Sequence, residues 1–408
     1  MRPVRYVVGV TAVLLVSVAV VACARSAPRS QPVAAAGGNV DFHNLHASEP
    51  PPEPLRAGER FIYVGMPRPY TPVPPNGGTD EYRCFLIDPQ FAQRTFVTGS
   101  QFLPQNADIV HHAIFFRVDP GEVAQARQLD AGDPDDGWTC FGGPGVGGGG
   151  GGGRAGNSAA SQLGGGSWIA AWAPGGKETL LGARTGYDMQ PGSQIVMQVH
   201  YNLLATGGKA GGADQSGMRL RVVDGSANLR PLSTSLIPAP VELPCPAGVT
   251  GDLCDRNKSV LDVWHRFGQE AAATVSGLNL LCNSGHDPVP GPTQHCDIRV
   301  RQAGVVYAVA GHMHLLGHSV KVELNPGTAQ ARTLLDVPTY NFDDQSARVL
   351  ATPVTVKPGD TYRVTCTHDA ALRTQLPQLK PLPPRYVVWG DGTADEMCLG
   401  IVIWAPPA

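Results

Sequence analysis

Charge is scarce in this chain. Only 16% of its 408 residues are Asp, Glu, Lys or Arg, the formal net charge is −3, and no basic block occurs. That argues against a nucleic-acid partner. No Cys-x-x-Cys pair is present, which disfavours a thiolate zinc site. Aromatics are 7% and Met numbers only seven, with no Met-rich tract of the kind a metal carrier tends to have. The longest apolar run, Val7–Val21, is about 15 residues, short of the ~20 needed to span a bilayer. Ten Gly fall within residues 142–153, beside Pro144 and Val146, but no Gly-Lys-Ser/Thr follows to open a helix. This stretch therefore reads as a flexible surface loop and not as a phosphate cradle.

Gly and Pro are abundant, 50 and 37 residues, about a fifth of the chain and below the share that marks disorder. With 42% apolar residues a packed core is feasible. Gly/Pro-rich, charge-poor text argues against a helix bundle and for an all-β chain of short strands and many turns.

Arg2 and Arg5, the Val7–Val21 run and Cys23 in "VVAC" have the layout of a secretory signal ending in a lipoprotein-type cysteine. The expectation is a signal peptide over 1–23, lipidation at Cys23, and an exported chain anchored on the extracytoplasmic side of the envelope. Cleavage after Ala24 would instead release a secreted protein. Residues 24–59 read as a Pro/Ala-rich tether, with His43 and His46 as linker residues. Eight further Cys, an even number in an exported chain, suggest disulfides. Eight thiols allow on the order of a hundred pairings, so spacing leaves the connectivity open. Local pairing of Cys245 with Cys254 and Cys282 with Cys296 is the expectation for the middle four.

From Arg60 onward "RFIYV", "YRCFLI", "TFVTGSQFL", "VHHAIFFRV", "QIVMQVHYNL" and "MRLRVV" read as strands between turn clusters. A composition break falls near 225–240. Beyond it "VVYAVAGHMHLLGHSVKVEL", "RTLLDV", "ARVLATPVTV", "TYRVTCTH" and "MCLGIVIWA" are strand-like again, and "SVLDVWHRFGQEAAATVSGLNLL" is the one helical region. Two antiparallel β-sandwich domains follow, 60–228 and 229–408.

Histidines carry the chemistry. His111 and His112 are adjacent, and neighbours on a regular strand point to opposite faces. They share a metal only where a bulge or strand end breaks the alternation; otherwise one is core and one surface. His200 shares a strand face with Val196 and Gln198, as a cavity wall or as a satisfied core histidine. His312 and His314, at i and i+2, lie on the same strand face, which is good chelating geometry. Met397, beside Cys398, is a core residue or a thioether ligand, which would select a soft ion such as Cu(I). His318 offers a third imidazole to a zinc site built on His312 and His314.

In order along the chain, "DEYRCFLI", "VHHAIFF", "IAAWAPGG", "MQVHYN", "GHMHLLGHSV" and "DEMC" resemble the copper type II, ascorbate-dependent monooxygenases, which include peptidylglycine α-hydroxylating and dopamine β-monooxygenases. The resemblance covers roughly 60–405. It implies two jelly-roll-like domains with a copper site in each, facing across a solvent-filled cleft. It implies a first copper on His111, His112 and His200, which stores electrons, and a second on His312, His314 and Met397, the catalytic centre where O2 reacts. It implies ascorbate or another one-electron reductant as co-substrate and hydroxylation of an activated C–H bond of a small molecule, with Gln198 and Tyr201 flanking the first site. It also implies disulfides Cys84–Cys140 and Cys366–Cys398. Peptidylglycine enzymes hold the peptide carboxylate with an Arg and a Tyr; Ala310 and Ile401 stand there instead, which argues against that substrate. The expectation is a monomer that meets the membrane only through its lipid. The alternatives are a non-catalytic copper-binding lipoprotein and a zinc hydrolase on His312, His314 and His318, which leaves the other histidines and Met397 unexplained.

Overall fold

A computed structural model describes residues 51–75, 78–141, 143–146, 168–174, 176–204, 206, 209, 211–342 and 344–407. The expected signal peptide with Cys23, most of the tether with His43 and His46, and most of the glycine run lie outside the described residues. All described residues belong to one compact unit.

The chain is all-β, and the expected strands form. In the first sandwich one sheet runs in the order Arg60–Gly65, Gly217–Asp224, Thr95–Leu103, Thr185–Met189, Arg230–Pro231, with Thr179–Leu180 at the side. The facing sheet runs Trp138–Thr139, Asp80–Ile87, Gln194–Asn202, Val110–Val118, Trp168–Trp172. Pairing is antiparallel except for the short contact of Arg230–Pro231 with Thr185 and Gly186. The period-2 alternation of Gln194–Asn202 divides its faces. Ile195, Met197 and Val199 enter the core between the sheets, while Val196 turns outward onto a smaller cluster with Cys84, Trp138 and Cys140.

The second sandwich pairs Ser233–Pro238, Leu399–Ala405, Gly304–His312 and Arg348–Val356 in one sheet, and Thr293–Arg299, Thr361–His368, Gly317–Leu324 and Arg332–Val337 in the other. The run "LGIVIWA" is apolar at nearly every position because it is covered on both sides. Leu399 and Val402 face the second core, whereas Ile403 and Ala405 join the core of the first sandwich together with Ala308. Near-continuous apolar text is the signature of a strand without a solvent face.

The helical region is two helices, Arg256–Phe267 and Gln269–Cys282. Asp255 caps the first by accepting from the Lys258 N–H, and Gly268 at φ 86° separates them, a left-handed conformation that glycine adopts without penalty. A further helix, Val123–Gly132, and a turn of helix, Leu372–Gln375, were not expected. The former has no side-chain cap and buries only Ala126, so it carries little of the periodic apolar signal by which a helix is read. Four disulfides join Cys84–Cys140, Cys245–Cys254, Cys282–Cys296 and Cys366–Cys398. Among the described residues no helix is long and apolar enough to cross a membrane.

Candidate metal centres

The first histidine group is built by a bulge. Val110 pairs with Tyr201 and His112 with His200, and His111 is the extra residue between them. That irregularity breaks the alternation and lets both neighbours face one way. His111, His112 and His200 converge so that one ligand atom from each lies within 4.8 Å of the others. Ring centroids are 4.7 Å apart for His111–His200 and for His112–His200.

His200 and His112 are set by what their other nitrogen touches. His200 Nε2 lies 2.9 Å from Asp80 Oδ1, and a carboxylate only accepts, so that nitrogen carries the proton and Nδ1 is left with its lone pair. His200 Nδ1 is 3.1 Å from His111 Nδ1. The Tyr82 ring stacks on His200 at 4.1 Å and 12°. The Tyr82 hydroxyl donates to the Asp391 carbonyl at 2.7 Å and receives His112 Nε2 at 3.3 Å, which turns His112 Nδ1 inward as well. Burial, then the neighbouring imidazoles, pushes His111 and His112 well below the usual histidine range. Burial lowers His200 too, against the pull of Asp80. Burial alone would raise Asp80, but hydrogen bonds from His200, Asn202 and Thr393 outweigh it and hold the carboxyl low. The result is a cluster of neutral imidazoles, the form in which histidine binds metal.

The second group is built differently. Its strand ends at His312, and His314 lies in the following turn, so the expected shared strand face is not how the two meet. Their rings nonetheless stand 5.2 Å apart at 81°. His312 Nδ1 is 2.6 Å from Gln345 Oε1 and His314 Nδ1 is 3.2 Å from the Asp395 carbonyl. Both partners accept, so both rings keep Nε2 free. His314 Nε2 is buried with no hydrogen-bond partner, an orphan that a metal ion would satisfy. Burial, then His314, pushes His312 down to about 4. Glu396 reaches the same turn, accepting from the His314 N–H at 2.8 Å and the Leu316 N–H at 2.5 Å. That brings the segment carrying Met397 alongside. Met397 is half-buried against the second core, and its carbonyl accepts from His368 Nε2 at 3.3 Å. The Cys366–Cys398 bond pins the next residue.

The solvent-filled cleft expected between the groups is closed here. His112 and His312 have centroids 6.0 Å apart, and Phe342 of the second sandwich stacks on His111 at 5.0 Å. His318 is exposed on the strand Gly317–Leu324, away from the turn that holds His314, so a zinc site completed by it is not formed. Tyr201 points away from His200 into the first core, donating to Asp214 Oδ2 at 3.0 Å. Gln198 donates to the Cys140 carbonyl at 2.6 Å. Tyr201 therefore does not flank the imidazoles. Asp80 and Tyr82 do, and the signal was the alternation of "DEYRC", which places both on the face of the sheet that carries His200.

A cavity of about 100 Å³ is lined among others by Trp168, Trp172, Tyr187, Ala310, Gln345 and Ile401. Ala310 and Ile401 are partners across the sheet. Of the residues that touch the second group, Gln345 belongs to its lining, and the candidate ligands themselves do not.

Residues 292–408 match the family described as copper type II ascorbate-dependent monooxygenase, C-terminal domain. The matched stretch includes His312, His314, Met397 and the Cys366–Cys398 pair. No curated protein matches in sequence. Solved structures show slight likeness: an allantoicase at 10% identity over 80% of this chain and 78% of that one, TM-score 0.19, and a Paenibacillus xanthan lyase at 11% over 82% and 23%, TM-score 0.18.

Proposed function

We propose that the chain is an exported, lipid-anchored dicopper monooxygenase, extending to both sandwiches the family that its C-terminal residues match. His111, His112 and His200 would hold one copper; His312 and His314, with the Met397 thioether, would hold the other. The observation that carries this reading is the inward-turned, unprotonated nitrogen on four of the five clustered rings, with His314 Nε2 buried and unpartnered. Three imidazoles suit copper in either oxidation state, and a thioether in the second set favours Cu(I).

When bound, the two coppers supply the one-electron and O2 chemistry by which an activated C–H bond is hydroxylated at the expense of an ascorbate-like reductant. The protein's residues orient and shield. Asp80, Tyr82, Gln345 and the Asp395 carbonyl fix ring tautomers. Phe342 excludes water from His111. The cavity beside Gln345 offers a small organic substrate an apolar wall, with Ala310 and Ile401 in place of groups that would hold a carboxylate.

The test is copper reconstitution followed by ascorbate-dependent oxygen uptake over a panel of small substrates. Two coppers per chain and substrate-stimulated uptake are expected. Zinc with no copper affinity would overturn the reading.

A further inference from the structure

We infer that Asp80 is a positioning residue that presets His200 for metal and ties that setting to the contact between the two sandwiches. The copper part of this inference rests on the function proposed above; the tautomer part does not.

Asp80 opens the strand Asp80–Ile87 and is buried. Four donors meet its Oδ1: His200 Nε2 at 2.9 Å, Asn202 Nδ2 at 2.8 Å, Thr393 Oγ1 at 2.8 Å and the Thr393 N–H at 3.2 Å. A buried carboxylate is stable only when its lone pairs are satisfied in this way. An imidazole whose outer N–H is held by a carboxylate has a fixed tautomer, a fixed ring plane and a more basic inner nitrogen. That is the arrangement by which supporting residues tune a metal ligand. At His200 the inner atom is Nδ1, facing His111 Nδ1.

The origin of the donors makes this more than a core hydrogen bond. Asn202 and His200 share a strand of the first sandwich. Thr393 lies 313 positions along the chain from Asp80, on the segment of the second sandwich that continues to Glu396 and Met397. Thr393 Oγ1 also accepts from Asn202 Nδ2 at 2.9 Å. Separating the sandwiches would strip two of the four donors from the oxygen that sets His200. Linkage is reciprocal: whatever favours the contact favours metal at the first group, and metal there favours the contact.

The metal-free wild type gives the first readout. The ring ¹⁵N shifts of His200 should show the proton on Nε2; a proton on Nδ1 would overturn the inference whatever the copper content. Asp80→Asn should mix the tautomers and weaken first-site copper by about tenfold to a hundredfold, with an altered Cu(II) EPR spectrum and second-site affinity unchanged. Thr393→Val, which leaves Asp80 and its histidine in place, should weaken the same site by less, and Thr393→Ser should restore it. Wild-type copper affinity and spectrum in Asp80→Asn or, if that variant does not fold, in Thr393→Val would overturn the inference. A wild type that takes up no copper but carries the Nε2 proton would overturn the proposed function and leave the positioning of His200 by Asp80 supported.

Discussion

The two histidine groups lie side by side yet are supported by different means. The first sits within one regular sheet: His112 and His200 are cross-strand partners, and a single bulge brings in His111. The second sits where regular structure has stopped, with His312 at a strand end, His314 in a turn and Met397 ahead of the last strand. Backbone ladders place the first, and Asp80 and Tyr82 then set its rings. The second depends on substitutes. Glu396 grips two backbone N–H groups of the turn. Asp395 receives both Arg266 and Arg385, which also share Asp262. A disulfide ties Cys398 to the neighbouring sheet. A metal site built on loops needs buried charge and covalent bonds to reach the precision that strands supply by geometry.

The sharpest way to break this comparison is at the ligands. His200→Ala should remove one copper while the other remains, read by metal content per chain. Met397→Leu conserves volume and should cost under ~1.5 kcal/mol of stability, leaving the first copper in place, while oxygen-dependent turnover falls by orders of magnitude because the soft donor is gone. Full copper-dependent oxygen consumption in that variant would remove Met397 from the site.

Next comes the charge network. Asp395→Asn removes the buried one of the two anions that Arg266 and Arg385 share and leaves them Asp262; losing one partner of a buried pair costs about 3–5 kcal/mol. Denaturant unfolding should show it, and the second copper should loosen before the first. Cys366→Ser with Cys398→Ser should cost about 2–4 kcal/mol and likewise lower second-site affinity selectively. Equal loss at both sites would erase the distinction between ladder-built and loop-built support.

A further effect is on pH. His312 has its folded-state pKa at about 4, against about 6.5 for a free histidine. Between those values the unfolded chain binds the additional proton, so metal-free stability rises with pH there and is lost as pH falls toward 4. A urea midpoint series from pH 7 to 4 should fall accordingly. Copper, which needs the neutral ring, should stay on the second group until pH approaches that value.

Much of this was legible in one dimension because it is local. Alternation marks the strand Thr361–His368 to the residue. Adjacent His111 and His112 can share a face only at a strand end or a bulge, and the register shift between Val110 and His112 is the bulge. The weakly patterned helix Val123–Gly132 left no such trace. Tyr201 was misassigned because proximity along a strand does not put two side chains on one face, and Tyr201 belongs to the face opposite His200.

By itself, then, the sequence determined the all-β class, the strand set and the histidines able to bind metal, since these follow from period, composition and residue chemistry within a few positions. Only the tertiary structure decided that His314 leaves its strand, that Asp80 and not Tyr201 supports His200, and that the two groups close to 6.0 Å between His112 and His312. Those outcomes depend on contacts such as Asp80 with Thr393, between residues hundreds of positions apart. Burial strengthens such polar pairs and forbids leaving them unmade, but no local pattern along the chain encodes which partners will meet.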